Sequence, residues 1–117
     1  MHALLVFLGG GTGALARWGL ALLLQRPWGT LAANVAGSFL LALFVASPLG
    51  TDSRLKLLFG VGAMGGFTTY STFNLELLEY LREGDWRMAA LQGGLTLVGC
   101  LAGGGAGLWL ASALPRS

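Results

Sequence analysis

Charge is scarce in this sequence. Seven lysines and arginines and five acids make up 10% of its 117 residues, against about 25% in an ordinary soluble domain. That scarcity excludes a soluble globular fold. The net charge of +2 comes with no basic stripe, so nucleic acid is excluded as a partner. The single cysteine, Cys100, excludes an intrachain disulfide. The only histidine is His2, so no histidine-based metal cluster or nucleophile–base pair is present and an enzyme is not expected.

What the sequence does have is apolar length. Hydrophobic residues make up 55% of the chain, and the mean hydropathy is +0.71. A span needs roughly 20 apolar residues, which leaves room for four and for little else. The chain therefore reads as one all-α integral membrane domain over residues 1–117. The spans are predicted at about Ala3 to Leu24, Trp28 to Ser47, Leu55 to Leu81 and Trp86 to Leu114. Gln25-Arg26-Pro27, Pro48 to Asp52 and Arg82 to Asp85 separate them, and Pro115-Arg116-Ser117 forms a short tail. Such short connections make successive spans antiparallel neighbours. Trp28, Trp86 and Trp109 fall near span ends, as an aromatic belt would place them. The first span lacks the basic leader and small-residue cleavage site of a signal peptide.

Orientation is not dictated by charge. With four spans, one side carries Arg54, Lys56 and Arg116 and the other Arg26, Arg82 and Arg87, with Arg17 inside span one. The positive-inside rule chooses neither side. The balance is either an accident of few charges or the mark of dual topology, in which copies insert both ways and pair antiparallel. A dimer is expected on either reading. Small residues recur every four positions at Gly99, Gly103 and Gly107, in Gly9-Gly10-Gly11-Thr12-Gly13, and at Ala33 and Gly37. Such rows allow close backbone packing in lipid, within or between subunits. The glycine run is no phosphate loop, since it has no following lysine and no preceding strand.

Polar residues inside spans carry more information. Asn34 and Ser38 share a face of span two. Gln92, Thr96 and Cys100 share a face of span four. Arg17 lies in the second half of span one, where it either snorkels or marks an ion path. Ser38 and Thr96 either bond back to their own helix or face something else. Almost every group in this inventory is a donor. Spans one, two and four hold no carboxylate, and Glu76 and Glu79 are expected near water at the end of span three. Donors without acids suit an anion.

Residues 65–73 read GGFTTYSTF at the centre of span three. Paired glycines followed by β-branched and hydroxylated residues disfavour a continuous helix. Either the helix kinks with its hydroxyls back-bonded, or it breaks. Breaks inside a membrane are tolerated where buried or lining a cavity, and they often coordinate ions. Phe67, Tyr70 and Phe73 are spaced three apart, and aromatic ring edges carry partial positive charge.

GGGTGALARW, GTLAANVAGSF and GAMGGFTTYSTFNLE together resemble the Fluc (CrcB) fluoride channel family over nearly the whole chain. The resemblance implies an antiparallel dual-topology homodimer in the bacterial plasma (inner) membrane. It implies four transmembrane helices with the third broken at mid-membrane, two fluoride pores, and a central structural sodium ion. By motif position, the backbone carbonyls of Gly65 and Thr68 would hold the sodium. Asn34, Arg17 and Phe73 match the family's pore asparagine, vestibule arginine and second pore phenylalanine. Ser71 and Thr72 are further pore donors, although the two cannot all point into one pore. The sequence departs from the family at Tyr70, which replaces the first pore phenylalanine, and on span four, where Gln92 and Thr96 stand in for a tyrosine–serine pair. Conduction would be passive, with no ATP site or proton-relay acid in view. The competing reading is a small dual-topology multidrug-type exporter, which would need a glutamate in the first span; none is there.

Overall fold

The computed structural model describes residues 1–114 and is helical, with no strand among the described residues. The predicted tail, with Arg116 of the charge tally, lies outside the described residues. Helix α1 (His2–Leu24) and helix α2 (Trp28–Ala46) are joined at Arg26-Pro27, a cis peptide. A short 3-10 turn, Pro48–Thr51, follows. The third predicted span divides into two limbs. The first limb is a turn of helix α3 (Ser53–Leu55), a wide π-helical stretch (Lys56–Met64) and a last turn, α4 (Gly65–Phe67). The second limb is α5 (Tyr70–Arg82). Helix α6 (Trp86–Ala113) closes the chain.

Among the described residues three helices, α1, α2 and α6, are long and apolar enough to cross a membrane. At about 1.5 Å per residue, even the 19 residues of α2 come within reach of a hydrocarbon core of roughly 30 Å. The third predicted span is not a fourth such helix, because Thr68 and Thr69 interrupt it. Their backbones are extended (φ −88°, ψ 152° and φ −150°, ψ 121°). The expectation of a break over a kink is met. Leucines and tryptophans cover the outside, with Trp86 and Trp109 about 70% exposed. That is the surface of a chain whose solvent is lipid.

Glycine decides which helices touch. Helix α2 packs most extensively on α6, and α1 on the first limb. A Cβ at Gly13 would run into the carbonyl of Ala63, and one at Gly9 into that of Leu58. Gly66 presses on the carbonyl of Gly10 in the same way. On α6, Gly103 and Gly107 meet the carbonyls of Val35 and Phe39. The small-residue rows of spans one and four therefore pack within the subunit. In lipid, where apolar burial drives little association, such close van der Waals contact is what holds helices together.

Candidate functional site

The break is held by side chains from two other helices. Asn34 on α2 donates from Nδ2 to the Thr69 carbonyl at 2.9 Å and accepts the Thr69 N–H on Oδ1 at 2.8 Å. Arg17 on α1 donates from Nε to the Gly66 carbonyl at 3.2 Å. Inside the break, Thr68 bonds back to the Met64 carbonyl, and the Thr69 hydroxyl caps α5 by accepting the Thr72 N–H. No protein donor meets the carbonyls of Gly65, Phe67 and Thr68 among the described residues. The negative end of the first limb and the positive end of α5 thus lie within a few residues of each other. Unpaired carbonyls suit a cation, and the N-terminal end of a helix suits an anion.

A groove of about 640 Å³ opens beside the break. Asn34, Ser38, Tyr70, Phe73, Thr96 and Cys100 line it, together with Thr68 and Thr69. The sequence had placed Asn34, Tyr70, Phe73 and Thr96 in one site, and the fold brings these four together. Thr96 Oγ1 is buried with no hydrogen-bond partner among the described residues, so of its two expected fates the back-bonded one is excluded. Asn34 spends its oxygen and one N–H on Thr69 and keeps its second N–H. Tyr70 meets Phe73 edge to face, with centroids 5.9 Å apart and planes at 67°. No carboxylate lines this groove among the described residues.

The other expected site residues lie elsewhere. Arg17 and Thr72 line a second, smaller groove of about 300 Å³ with Gln25, Arg26, Thr30 and Glu76. Ser71 is exposed, its hydroxyl 3.4 Å from that of Thr69. Gln92 is only 1% exposed and does not line the first groove. Its Nε2 donates to Glu76 Oε1 at 2.7 Å.

Glu76 corrects the sequence reading. Expected near water, it is 3% exposed. It accepts the Thr30 hydroxyl at 2.8 Å on one oxygen and the Gln92 amide on the other. The buried inventory therefore includes one acid, tied by α2 and α6 to α5. The signal was present in Thr30–Asn34 and Thr72–Glu76, each pair one helical turn apart, but which faces would meet was not. Glu79, by contrast, forms an exposed pair with Arg26 at 2.6 Å. That bond and the carboxylate's charge raise the Arg26 pKa against a small opposing effect of burial. Arginine is charged at any working pH, so the Arg26 end of this pair stays cationic. Replacing Glu76 by leucine strands two buried donors, each at about 1–3 kcal/mol. Glu76→Leu is therefore expected to lower the unfolding midpoint in detergent sharply, with Glu76→Gln between it and the parent. Equal midpoints for all three would show that the triad holds nothing.

Closely packed apolar helices around a broken, polar-lined segment define a multi-pass membrane protein. The family described as "CrcB-like protein, Camphor Resistance (CrcB)" matches residues 4–108. Among curated proteins, the chain is 40% identical over 116 residues to the "Fluoride-specific ion channel FluC" of Sorangium cellulosum (strain So ce56), covering 92% of this chain and 91% of that one. It is 44% identical over 110 residues to the protein of the same name from Shewanella sp. (strain ANA-3), covering 86% and 87%. A third, from Phocaeicola vulgatus, is 40% identical over 89 residues, covering 69% and 74%. The chain belongs to the CrcB family.

Proposed function

We propose that this protein is a fluoride-selective passive channel of the bacterial plasma membrane, working as an antiparallel dual-topology homodimer with two fluoride paths. The observation that carries the proposal is the groove beside the break. The spare Asn34 N–H and the unpartnered Thr96 hydroxyl converge on it beside the start of α5, with no carboxylate among the described lining residues. The names of the relatives agree with it. Fluoride is small and strongly hydrated, so a selective path must replace its water with close donors. Tyr70 and Phe73 add ring edges that face an anion without a conventional hydrogen bond. In the second groove Arg17 and Arg26 supply positive charge beside Thr72 and the single carboxylate of Glu76.

The free carbonyls of Gly65 and Thr68 fit a bound sodium, the hard cation that oxygen donors suit. When bound, it would supply a fixed positive charge weakly screened by its surroundings. Gly65 and Ser71 are exposed in the single chain, and Tyr70 is 75% exposed. An unpaired carbonyl facing lipid costs several kcal/mol, which a second copy over this face removes. The four-span count follows if the two limbs together cross the bilayer once.

The exporter reading gains little from Glu76. Both carboxylate oxygens are already bonded to neighbouring helices, as suits a structural tie. Passive conduction is enough for the task. Hydrogen fluoride enters a cell from acidic surroundings and loses its proton inside, and a negative interior then drives the anion out through an open path. The test is efflux from liposomes holding the purified protein, read with a fluoride electrode, with chloride run in parallel. Fast fluoride loss with chloride retained is the expected result. Folded protein that releases neither ion, or both equally, would refute the proposal.

A further inference from the structure

We infer that Asn34 is a positioning residue for the break, and that its side chain selects the broken form of the third span over a continuous helix. Asn34 is 8% exposed and bonds both backbone groups of one residue, Thr69. In an extended residue the N–H and C=O point to the same side, which is how two residues of an antiparallel ladder exchange both bonds. In a helix they point in opposite directions along the axis. A single side-chain amide, with its donor and acceptor side by side, therefore pairs with Thr69 only when Thr69 is extended. Asn34 acts as a one-residue strand.

The same pairing sets the carbonyls. In an unbroken helix the Thr69 N–H would close on the Gly65 carbonyl four residues back. Asn34 takes that N–H and so releases Gly65, which places control of the carbonyl side of the break on the helix that lines the groove. Gly37 completes the seat. It lies one turn from Asn34 on α2, and a Cβ there would collide with the Thr68 side-chain methyl. The face of α2 thus offers an amide for Thr69 and a gap for Thr68. A carboxylate at position 34 would keep the acceptor for the Thr69 N–H but set an oxygen against the Thr69 carbonyl. A hydroxyl would not reach both.

The role of the released carbonyl rests on the proposed function, whereas the clamp rests on geometry. The experiment measures amide hydrogen exchange at Thr69 in the full-length, isotope-labelled protein in lipid nanodiscs, alongside fluoride efflux from liposomes. In the parent protein the Thr69 amide is expected to be protected. In Asn34→Ala it should exchange about tenfold faster or more, the size of one lost bond of about 1.4 kcal/mol, and efflux should fall. Thr96→Val should lower efflux with Thr69 exchange unchanged. Loss of efflux in Asn34→Ala with Thr69 protection intact would overturn the inference and leave Asn34 a simple anion contact. An unprotected Thr69 in the parent would overturn it as well. Should Asn34→Ala fail to fold, Asn34→Asp decides. Faster exchange at Thr69 supports the clamp, and parent-like exchange overturns it. A protein that passes no fluoride yet loses Thr69 protection in these variants keeps the clamp and sinks only the channel proposal.

Discussion

Thr96→Val is expected to lower fluoride passage about 10- to 100-fold while leaving the fold intact, if the groove beside the break is the ion path. A hydrogen bond to a charged partner contributes about 1.5–3 kcal/mol, and each 1.4 kcal/mol is a factor of ten. Thr96 isolates that contribution, because its buried hydroxyl has no partner among the described residues. Valine fills nearly the same volume and strands no other group. Most polar residues near the break lack this property: Asn34, Arg17 and Gln92 each hold another part of the chain. Efflux from liposomes, compared with the unfolding midpoint of the same preparation, separates the two effects. Unchanged efflux with an unchanged midpoint would remove Thr96 from the path. A fallen midpoint would show instead that the hydroxyl has a structural role.

The second large effect concerns packing. Gly13→Ala is expected to destabilise the protein by about 1–3 kcal/mol or more, the range for overfilling a close-packed contact. The added methyl would meet the Ala63 carbonyl, a backbone atom that cannot rotate away. Helix α1 would have to separate from the first limb, loosening the Arg17 bond to Gly66 one turn further on. Gly11→Ala is the internal control. It lies in the same glycine run, and a Cβ there meets nothing within 4 Å, so helix propensity favours alanine by about 0.5–1 kcal/mol. Thermal unfolding in detergent should place Gly13→Ala well below the parent and Gly11→Ala level with it or above. Indistinguishable midpoints would mean that α1 and the first limb do not pack through these glycines.

Much of the architecture was legible beforehand. Long apolar runs ended by Pro27 and Pro48 marked the helices to within a few residues, because lipid leaves a backbone few options besides helix. GGFTTYSTF marked the interruption, since glycine and β-branched residues weaken a helix wherever they fall together. The interruption was narrower than the motif: only Thr68 and Thr69 leave helical geometry. Helical spacing put Asn34 with Ser38 and Thr96 with Cys100, and those pairs do line one groove. The same spacing grouped Gln92 with Thr96, yet Gln92 is drawn to Glu76. Periodicity orders residues around one helix but says nothing about what a neighbouring helix presents to them.

What the sequence determined by itself was the solvent, the helices, the weak point in the third span and the supply of donors. Each follows from local composition read against the physics of a hydrocarbon surrounding. The tertiary structure decided the rest. It committed Asn34 to Thr69 and Arg17 to Gly66, buried Glu76 between Thr30 and Gln92, and left Thr96 unpaired. Those outcomes depend on the register between helices, which close glycine contacts such as Gly13 against Ala63 help to set. A donor becomes available to an ion only when no other helix has claimed it, and that is a property of the packed chain.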